Sequence, residues 1–372
     1  MSVITARMIT SIFDRLGLVI SLLLSLCLPP PAALAQVSRE DLEGLERHRS
    51  VRHRACVLQS IDVPDTSAIR WDTPVIGTWD LLDSSDREED SSGAAPVNET
   101  TLRERIETLP RELMIPYDSR LEAQVNTYVV RHAGALRGML GKYRHYEAMM
   151  RAAFRRQGIP EDLTALALVE SAMNPMALSP AGARGMWQFM PGTARRYGMR
   201  CDSTVDDRLD AVKATDAAAR YLKAAYRRFG DWPLAISSYN CGPGSVENAI
   251  RKAGSREFWD IYPYLPRETK GYVPAFISAL YSVRFHSLHG IEPRRQAETP
   301  STVFMITREM TFDEVIEATG ISRDELRRLN PQYLRGEIPG NEEPRPLRIP
   351  RDLAKLFRDN IDAMTDLQYD RN

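Results

Sequence analysis

The sequence predicts a mainly α-helical domain followed by a small α+β module of strand–helix–helix–strand order. Between about residues 101 and 290, apolar residues recur at helical spacing, and no long run of alternating apolar and polar residues occurs. After residue 300 the pattern changes to short apolar runs on either side of two short helical segments. A chain of 372 residues is long enough for about two folded domains.

The first 35 residues have the pattern of a signal peptide. Two arginines precede a 13-residue apolar run, which is too short to span a bilayer, and an Ala-x-Ala triplet ending at Ala35 fits a cleavage site. We therefore expect an exported protein of the periplasm or cell envelope, with no transmembrane span after cleavage. Lipoprotein anchoring at Cys27 is the disfavoured alternative, because Leu26 stands where a small residue is wanted.

Changes in composition divide the chain after the signal peptide into four parts. Residues 36–100 are an N-terminal extension that ends in an acidic linker, and the sequence does not indicate its role. Residues 101–297 are the helical domain, residues 301–350 are the small module, and residues 351–372 are a polar tail.

Charge and the use of cysteine and histidine exclude several classes of protein. Lys and Arg number 49 against 50 Asp and Glu, and the net charge of -1 gives no general attraction to nucleic acid. Four cysteines are too few for a disulfide scaffold, and the six histidines lack metal-ligand spacing, so we expect no cofactor and no metal. A disulfide between Cys201 and Cys241 and two separate buried thiols are both open. Protein partners are not predicted.

One carboxylate lies on the apolar face of a helix predicted over residues 161–174. Leu163, Leu166 and Ala167 mark the buried face, and Glu170 follows Leu163 by seven residues, which places it on that face. Burial disfavours the carboxylate anion and raises its pKa, as a general acid near neutral pH requires. A buried glutamate neutralised by an arginine is the alternative.

A polar loop with two glycines, Gly182 and Gly185, follows this helix. Its polar side chains include Asn174, Ser179, Gln188 and Thr193. Amides and hydroxyls of this kind suit the hydroxyl groups of a sugar. The rings of Trp187 or Phe189 could also face a pyranose ring, although core packing is equally compatible with either. The pattern favours a sugar site beside Glu170.

Four sequence blocks occur in order: ESAMNP, GARGMWQFMPGTA, SSYNCGPG and ETKGYVPAF. Together they resemble the lytic transglycosylases of the goose-lysozyme-like, soluble-transglycosylase (SLT) type, and most of all the membrane-bound lytic murein transglycosylase D group. The resemblance covers about residues 115–285. It implies a lysozyme-like fold for the helical domain and peptidoglycan glycan strands as the binding partner.

The resemblance also implies roles for the matched residues. Glu170 takes the position of the catalytic acid, and Tyr272 takes that of the tyrosine that contacts the acid. The implied substrate-binding residues are Ser171, Ser179, Gln188, Met190, Thr193, Tyr239, Asn240 and Tyr272.

The implied reaction cleaves the β-1,4 bond between N-acetylmuramic acid and N-acetylglucosamine. It leaves 1,6-anhydro-N-acetylmuramic acid ends, with Glu170 as general acid and then base. Hydrolases with two carboxylates need a second acid, and we expect none among the matched residues. Asp206, Asp207 and Asp210 are predicted to form helix caps and surface ion pairs. The alternatives are a hydrolytic muramidase, in which Asp206 or Asp207 would have to reach the site, and a non-catalytic peptidoglycan-binding protein.

The C-terminal module is predicted to have strands at 303–306 and 347–349 and helices at 311–319 and 322–330. A serine at the start of the second helix, with a glutamate three residues later, fits a capping box.

The segment MTFDEVIEATGISRDELRRLNPQY, with LRIP at 347–350, resembles a LysM domain. LysM domains bind N-acetylglucosamine polymers. Glu309-Met310-Thr311 replaces the usual Gly-Asp-Thr. The module could therefore bind glycan or serve only as a packing or spacer module, and both alternatives are open. We expect this LysM-like module to tune affinity and not chemistry.

Overall fold

The computed structural model describes residues 96–296, 300–340 and 343–369. The predicted signal peptide with Cys27, and the extension up to residue 95, lie outside these ranges. Within them, no helix has the length and apolar character needed to cross a membrane. The helical domain begins slightly earlier than predicted, because Asn98 caps the first helix and the Val97 amide donates a hydrogen bond to Asn126 Oδ1 at 2.8 Å.

The helical domain contains eleven α-helices among the described residues. They are α1 (Glu99–Ile106), α2 (Ser119–Asn126), α3 (Ala133–Gln157), α4 (Leu166–Ser171), α5 (Pro191–Arg196), α6 (Ala211–Phe229), α7 (Trp232–Cys241), α8 (Pro243–Ala253), α9 (Phe258–Ile261), α10 (Arg267–Lys270) and α11 (Tyr272–Phe285). Short 3-10 turns and one π-helical turn join several of them. The prediction of a mainly helical domain is confirmed.

Helix α11 is the central helix of this domain. Every residue from Tyr272 to Ser282 is buried, and the helix packs against α2, α4 and α7. A helix that is apolar on all sides is stable only when other helices surround it. Its first residue, Tyr272, therefore has a fixed position beside the end of α4.

The helix that carries Glu170 is shorter than predicted. Residues Glu161–Ala165 form a 3-10 turn, and α4 covers only Leu166–Ser171. Ala172 and Met173 then take left-handed backbone conformations, with φ of 52° and 63°. Because the chain turns away at once, Glu170 lies in the last turn of a helix and not in its middle.

The LysM-like module has two more strands than predicted. Its elements are β1 (Ser301–Ile306), β2 (Glu309–Thr311), α12 (Phe312–Thr319), α13 (Arg323–Leu329), β3 (Glu337–Pro339), β4 (Arg345–Pro350) and α14 (Ala354–Tyr369). β1 pairs antiparallel with β4, and β2 pairs antiparallel with β3. The additional strands, β2 and β3, have three residues each, which is too short for an alternating pattern to show in the sequence.

Helix caps and a C-terminal helix complete the module. Ser322 Oγ accepts from the Glu325 amide, but the reciprocal capping box is formed by Thr311 and Glu314 at the start of α12. The segment assigned to a polar tail contains α14, whose Phe357 is 2% exposed in the module core. This corrects the prediction, because the helix belongs to the module.

Candidate active site

Glu170 is a half-buried carboxyl at the end of α4, and the Tyr272 hydroxyl donates a hydrogen bond to its Oε1. Burial raises the pKa of Glu170 to about 8; the Tyr272 hydrogen bond lowers it, and the negative charge of Glu268 raises it. No ion-pair partner of Glu170 occurs among the residues that the structure describes. The proton is therefore held near neutral pH, as a general acid requires.

Two tyrosines lie near this carboxyl, and the Tyr272 contact is the one that the family resemblance implies. Tyr272 is 3% exposed, and Tyr239 on α7 donates its hydroxyl proton to the Trp187 carbonyl at 2.9 Å. Burial and the charge of Glu170 raise the pKa of both tyrosines well above the usual value. Both hydroxyls consequently remain protonated donors.

Asn240 has a fixed side-chain orientation, because the buried Thr269 hydroxyl donates a hydrogen bond to its Oδ1 at 2.7 Å. With Oδ1 occupied, the amide Nδ2 is the group left to donate. Sequence reasoning did not single out Thr269, although it lies in the fourth matched block. The structure therefore adds a positioning residue to the predicted set.

The site loop, defined here as residues 172–190, has unusual backbone geometry. Ala172, Met173 and Gln188 are the non-glycine residues with positive φ in the described part of the chain. Strained backbone of this kind persists where the surrounding structure fixes it, and it is concentrated at functional sites. Gln188 has φ 48°, and its Nε2 donates to the Gly185 carbonyl at 2.8 Å. Its side chain is half-buried, so it retains one face toward solvent.

The two predicted serines hold the site loop together. Ser171 is completely buried: its Oγ donates to the Met186 carbonyl at 2.8 Å and accepts from the Asn174 amide at 3.1 Å. Ser179 is half-buried, and its Oγ accepts from the Ala183 amide at 3.0 Å. The expectation that Ser171 contacts substrate is therefore corrected, because the hydroxyl is turned into the protein.

The aromatic residues of the site loop are core residues. Trp187 is fully buried, stacks on Phe154 and donates its Nε1 hydrogen to Thr215 Oγ1 at 2.9 Å, and Phe189 is 3% exposed. Of the two alternatives that the sequence left open for these rings, the structure has core packing. Among the other predicted residues, Met190 is 45% exposed and Thr193 on α5 is half-buried.

Two family models match the chain. Residues 147–262 match the Transglycosylase SLT domain, and residues 301–366 match the lytic transglycosylase MltD LysM-like domain. The SLT match includes Glu170, Gln188 and Asn240 and ends before Tyr272.

The chain is also similar to relatives of known name. Over 253 residues, the chain is 28% identical to membrane-bound lytic murein transglycosylase D of Escherichia coli K12, covering 66% of this chain and 55% of the relative. It is 31% identical over 144 residues to the soluble lytic murein transglycosylase of the same organism, covering 36% and 22%. The chain thus spans at most about half the length of these two relatives.

A solved structure was also matched. The crystal structure of the 70 kDa soluble lytic transglycosylase from Escherichia coli aligns with a TM-score of 0.33 at 28% sequence identity. The alignment covers 40% of this chain and 25% of that chain.

The SLT domain and the residues after it contain one acid that the sequence analysis overlooked. Glu268 begins the fourth matched block, is exposed on α10, and raises the pKa of Glu170 by its charge. The expectation of no second acid among the matched residues was therefore wrong.

The three aspartates after the site loop have arginine partners. Asp206 pairs with Arg208 and Arg184. Asp207 pairs with Arg345 of the module and with Lys213 of α6, and Asp210 pairs with Arg348 of the module. Asp206 and Asp210 also cap helical turns, as predicted. All three are at most 2% exposed, so the prediction that their ion pairs lie on the surface was wrong.

Cys201 and Cys241 are free thiols in the SLT domain. Burial raises the pKa of Cys201 to about 11 and raises that of Cys241 as well. Both thiols are consequently protonated at neutral pH, where a thiolate would be needed for reactivity. Of the two alternatives that the sequence left open, the structure has separate thiols.

Proposed function

We propose that this protein is a peptidoglycan lytic transglycosylase. It would cleave the β-1,4 bond between N-acetylmuramic acid and N-acetylglucosamine and leave 1,6-anhydro-N-acetylmuramic acid ends. The observation that carries the proposal is the Glu170 carboxyl, which lies in an SLT domain with a tyrosine donor, no cationic partner in the described residues, and a pKa raised to about 8. A carboxyl of this kind holds the proton that a leaving glycosidic oxygen needs.

In this proposal, Glu170 acts twice. Its proton passes to the glycosidic oxygen as the bond from C1 of N-acetylmuramic acid to that oxygen breaks. The C6 hydroxyl oxygen of the same sugar then bonds to C1, and its proton returns to the Glu170 carboxylate. An intramolecular nucleophile gains effective molarity and needs no activated water. The acid is regenerated at the end of one cycle.

The other predicted residues would bind and orient the glycan. The half-buried side chains of Gln188, Thr193 and Asn240 offer amide and hydroxyl groups, and Met190 offers an exposed apolar surface. Ser179 would act through the shape of the site loop. Tyr239 and Tyr272 would act as fixed hydroxyl donors beside the acid.

We infer that the protein is exported, because the substrate lies outside the cytoplasm and the first 35 residues have the pattern of a signal peptide. The proposed partners are peptidoglycan glycan strands. The proposed catalytic domain is the helical domain predicted over residues 101–297, and its first helix starts two residues earlier, at Glu99. The proposed module begins at residue 301 and includes α14.

A hydrolytic muramidase is the second candidate, because Glu268 supplies a carboxylate close enough to affect the pKa of Glu170. Retaining glycosidases place two carboxyls about 5–5.5 Å apart, and inverting ones roughly 6.5–9.5 Å apart. In such an enzyme Glu268 would be the base or nucleophile, in place of the aspartates proposed from the sequence.

Mass spectrometry of muropeptides released from purified sacculi tests these functions. A transglycosylase releases ends that are lighter by one water and resist borohydride reduction. Mostly reducible ends would establish the muramidase. If nothing is released while the protein still binds sacculi, the protein is a non-catalytic binder. The Glu170→Gln variant, purified in the same way, is tested beside the wild type, and the proposal requires that its release of muropeptides be lost.

A further inference from the structure

The helical domain forms a short stretch of β-bridge pairing with the LysM-like module. The docking segment, defined here as residues 200–210, runs between α5 and α6. In it, Val205 pairs antiparallel with Tyr333. The Asp206 amide donates to the Gln332 carbonyl, and the Leu334 amide donates to the Thr204 carbonyl, both at 2.9 Å. Val205 is fully buried and belongs to the hydrophobic core of the module.

Two ion pairs lie beside this bridge, one fully buried and one with a half-buried arginine. Arg345 Nη1 donates to Asp207 Oδ1 and Oδ2 at 3.1 and 3.2 Å, and both side chains are at most 3% exposed. Arg348 donates to both oxygens of Asp210 at 3.0 Å. Arginine–carboxylate pairs that use two nitrogen–oxygen contacts fix orientation as well as distance. Without the module, Asp210 would lose Arg348, and Asp207 would keep only its ion pair with Lys213 of α6 at 3.1 Å.

The docking segment in turn holds the site loop. Arg208 binds Asp206 through Nε and Nη2, each at 2.8 Å. Its Nη1 donates to the carbonyls of Gly182 and Phe189 at 2.9 and 3.0 Å. Gly182 precedes Gln188 in the site loop and Phe189 follows it. The buried Arg208 guanidinium therefore binds the loop on both sides of Gln188.

The backbone of the docking segment also touches the loop directly. A Cβ atom added to Gly185 would lie 1.9 Å from the Arg208 carbonyl oxygen, so only glycine permits this approach. Gly185 also takes φ 83°. The close contact makes the position of the loop depend on the position of residue 208.

We propose that the LysM-like module is a fixed structural part of the catalytic unit, in which Arg345 and Arg348 act as positioning residues for the site loop. Their pairs with Asp207 and Asp210 hold the docking segment, and Arg208 of that segment holds the loop. The loop then places Gln188 and the Trp187 carbonyl, to which the Tyr239 hydroxyl donates. This role differs from glycan capture by a mobile appendage. It concerns the folding of the loop and stands whether or not Glu170 is the catalytic acid.

Hydrogen exchange on the full chain tests this role without a substrate. The amides of Arg184, Gly185 and Gln188 are hydrogen-bonded within the site loop. In Arg345→Gln and Arg348→Gln, these amides should exchange about tenfold faster, while amides in α3 keep their wild-type rates. The control is Arg323→Gln, which removes an exposed ion pair with Asp313 elsewhere on the module and should change neither region.

Two results would overturn the proposal. One is a folded Arg348→Gln protein with unchanged loop exchange; the other is acceleration spread equally over α3 and the loop. Should Arg345→Gln not fold, calorimetry of the wild-type chain provides an independent measurement. A shared core and buried ion pairs predict one unfolding transition for the module and the helical domain. Two separated transitions would show that the module is an independent appendage.

Discussion

Glu170 and Asp206 are two carboxyls of one domain whose pKa values shift in opposite directions. Burial raises the pKa of Glu170, and the structure describes no cation that compensates. Burial also tends to raise the pKa of Asp206, but hydrogen bonds from Arg208 and Arg184 outweigh it and hold the pKa below the usual value. Burial alone therefore does not decide the protonation state of these carboxyls. Asp206, which has arginine partners, stays ionised and stabilises the fold, whereas Glu170, which lacks them among the described residues, keeps its proton.

The two carboxyls therefore affect the free energy of unfolding in different pH ranges. The folded state holds the Glu170 proton up to about pH 8. The stabilisation of the fold that this proton gives is therefore complete below the usual glutamate pKa and is lost as the pH rises toward 8. The lowered pKa of Asp206 stabilises the fold above the usual aspartate pKa, and this stabilisation is lost as the pH falls through the pKa of the folded state.

The largest expected effect is on turnover in Glu170→Gln. The amide keeps the shape of the side chain but can neither give nor take the proton, so release of muropeptides from sacculi should fall by roughly a thousandfold or more. Glu268→Gln, which neutralises the neighbouring acid, is the matched control and should retain most activity. Circular dichroism would verify that both variants fold. A folded Glu170→Gln protein with near-normal release would refute the role of this residue.

The next effect is on stability in Asp206→Asn. Removing this charge leaves Arg208, which is 7% exposed, without its carboxylate, and breaking a buried pair costs about 3 kcal/mol. Urea unfolding at neutral pH would measure this loss. Asp313→Asn, which removes an exposed ion pair with Arg323, should stay within about 0.5 kcal/mol of the wild type. Equal stabilities for the two variants would mean that the buried network around Arg208 does not hold the segment.

The sequence predicted the raised pKa of Glu170, because a carboxylate on an apolar helix face is visible from spacing alone. It did not predict the helix end at Ala172, since left-handed backbone at a residue other than glycine depends on its surroundings. Nor could it predict the pairing of Asp207 with Arg345, because the partners lie 138 residues apart and local patterns carry no information about such contacts.

The sequence pattern also could not show whether the aromatic rings of the site loop are exposed or buried. Trp187 and Phe189 lie in a polar loop that suits a sugar site, yet both rings turn into the core. In contrast, the order of strands and helices in the module was predictable, except for the three-residue strands. Local periodicity thus predicts the helices, the longer strands and the environment of Glu170, whereas the contacts that hold the site loop depend on tertiary packing.

A smaller effect is expected at Thr269, which fixes the Asn240 amide. Thr269→Val keeps the shape of the side chain but removes the hydroxyl, so Asn240 loses its fixed orientation. We expect about a tenfold loss in kcat/KM on soluble glycan fragments, with the free energy of unfolding changed by only about 1 kcal/mol. Thr269→Ser retains the hydroxyl and should restore most of the activity. If Ser and Val variants are equally impaired, the methyl packing matters and the hydrogen bond does not.

The smallest effect is a change in pH dependence when Glu268 is neutralised. The negative charge of Glu268 raises the pKa of Glu170, so Glu268→Gln should lower that pKa. As a general acid, Glu170 must be protonated when substrate binds, and activity should decline above about pH 8 in the wild type. In the variant this decline should begin at lower pH, while the rate near pH 6 stays almost the same. A pH–rate profile of kcat/KM measures the shift. A large loss of rate at every pH, with the fold intact, would instead identify Glu268 as a second catalytic carboxylate and favour hydrolysis.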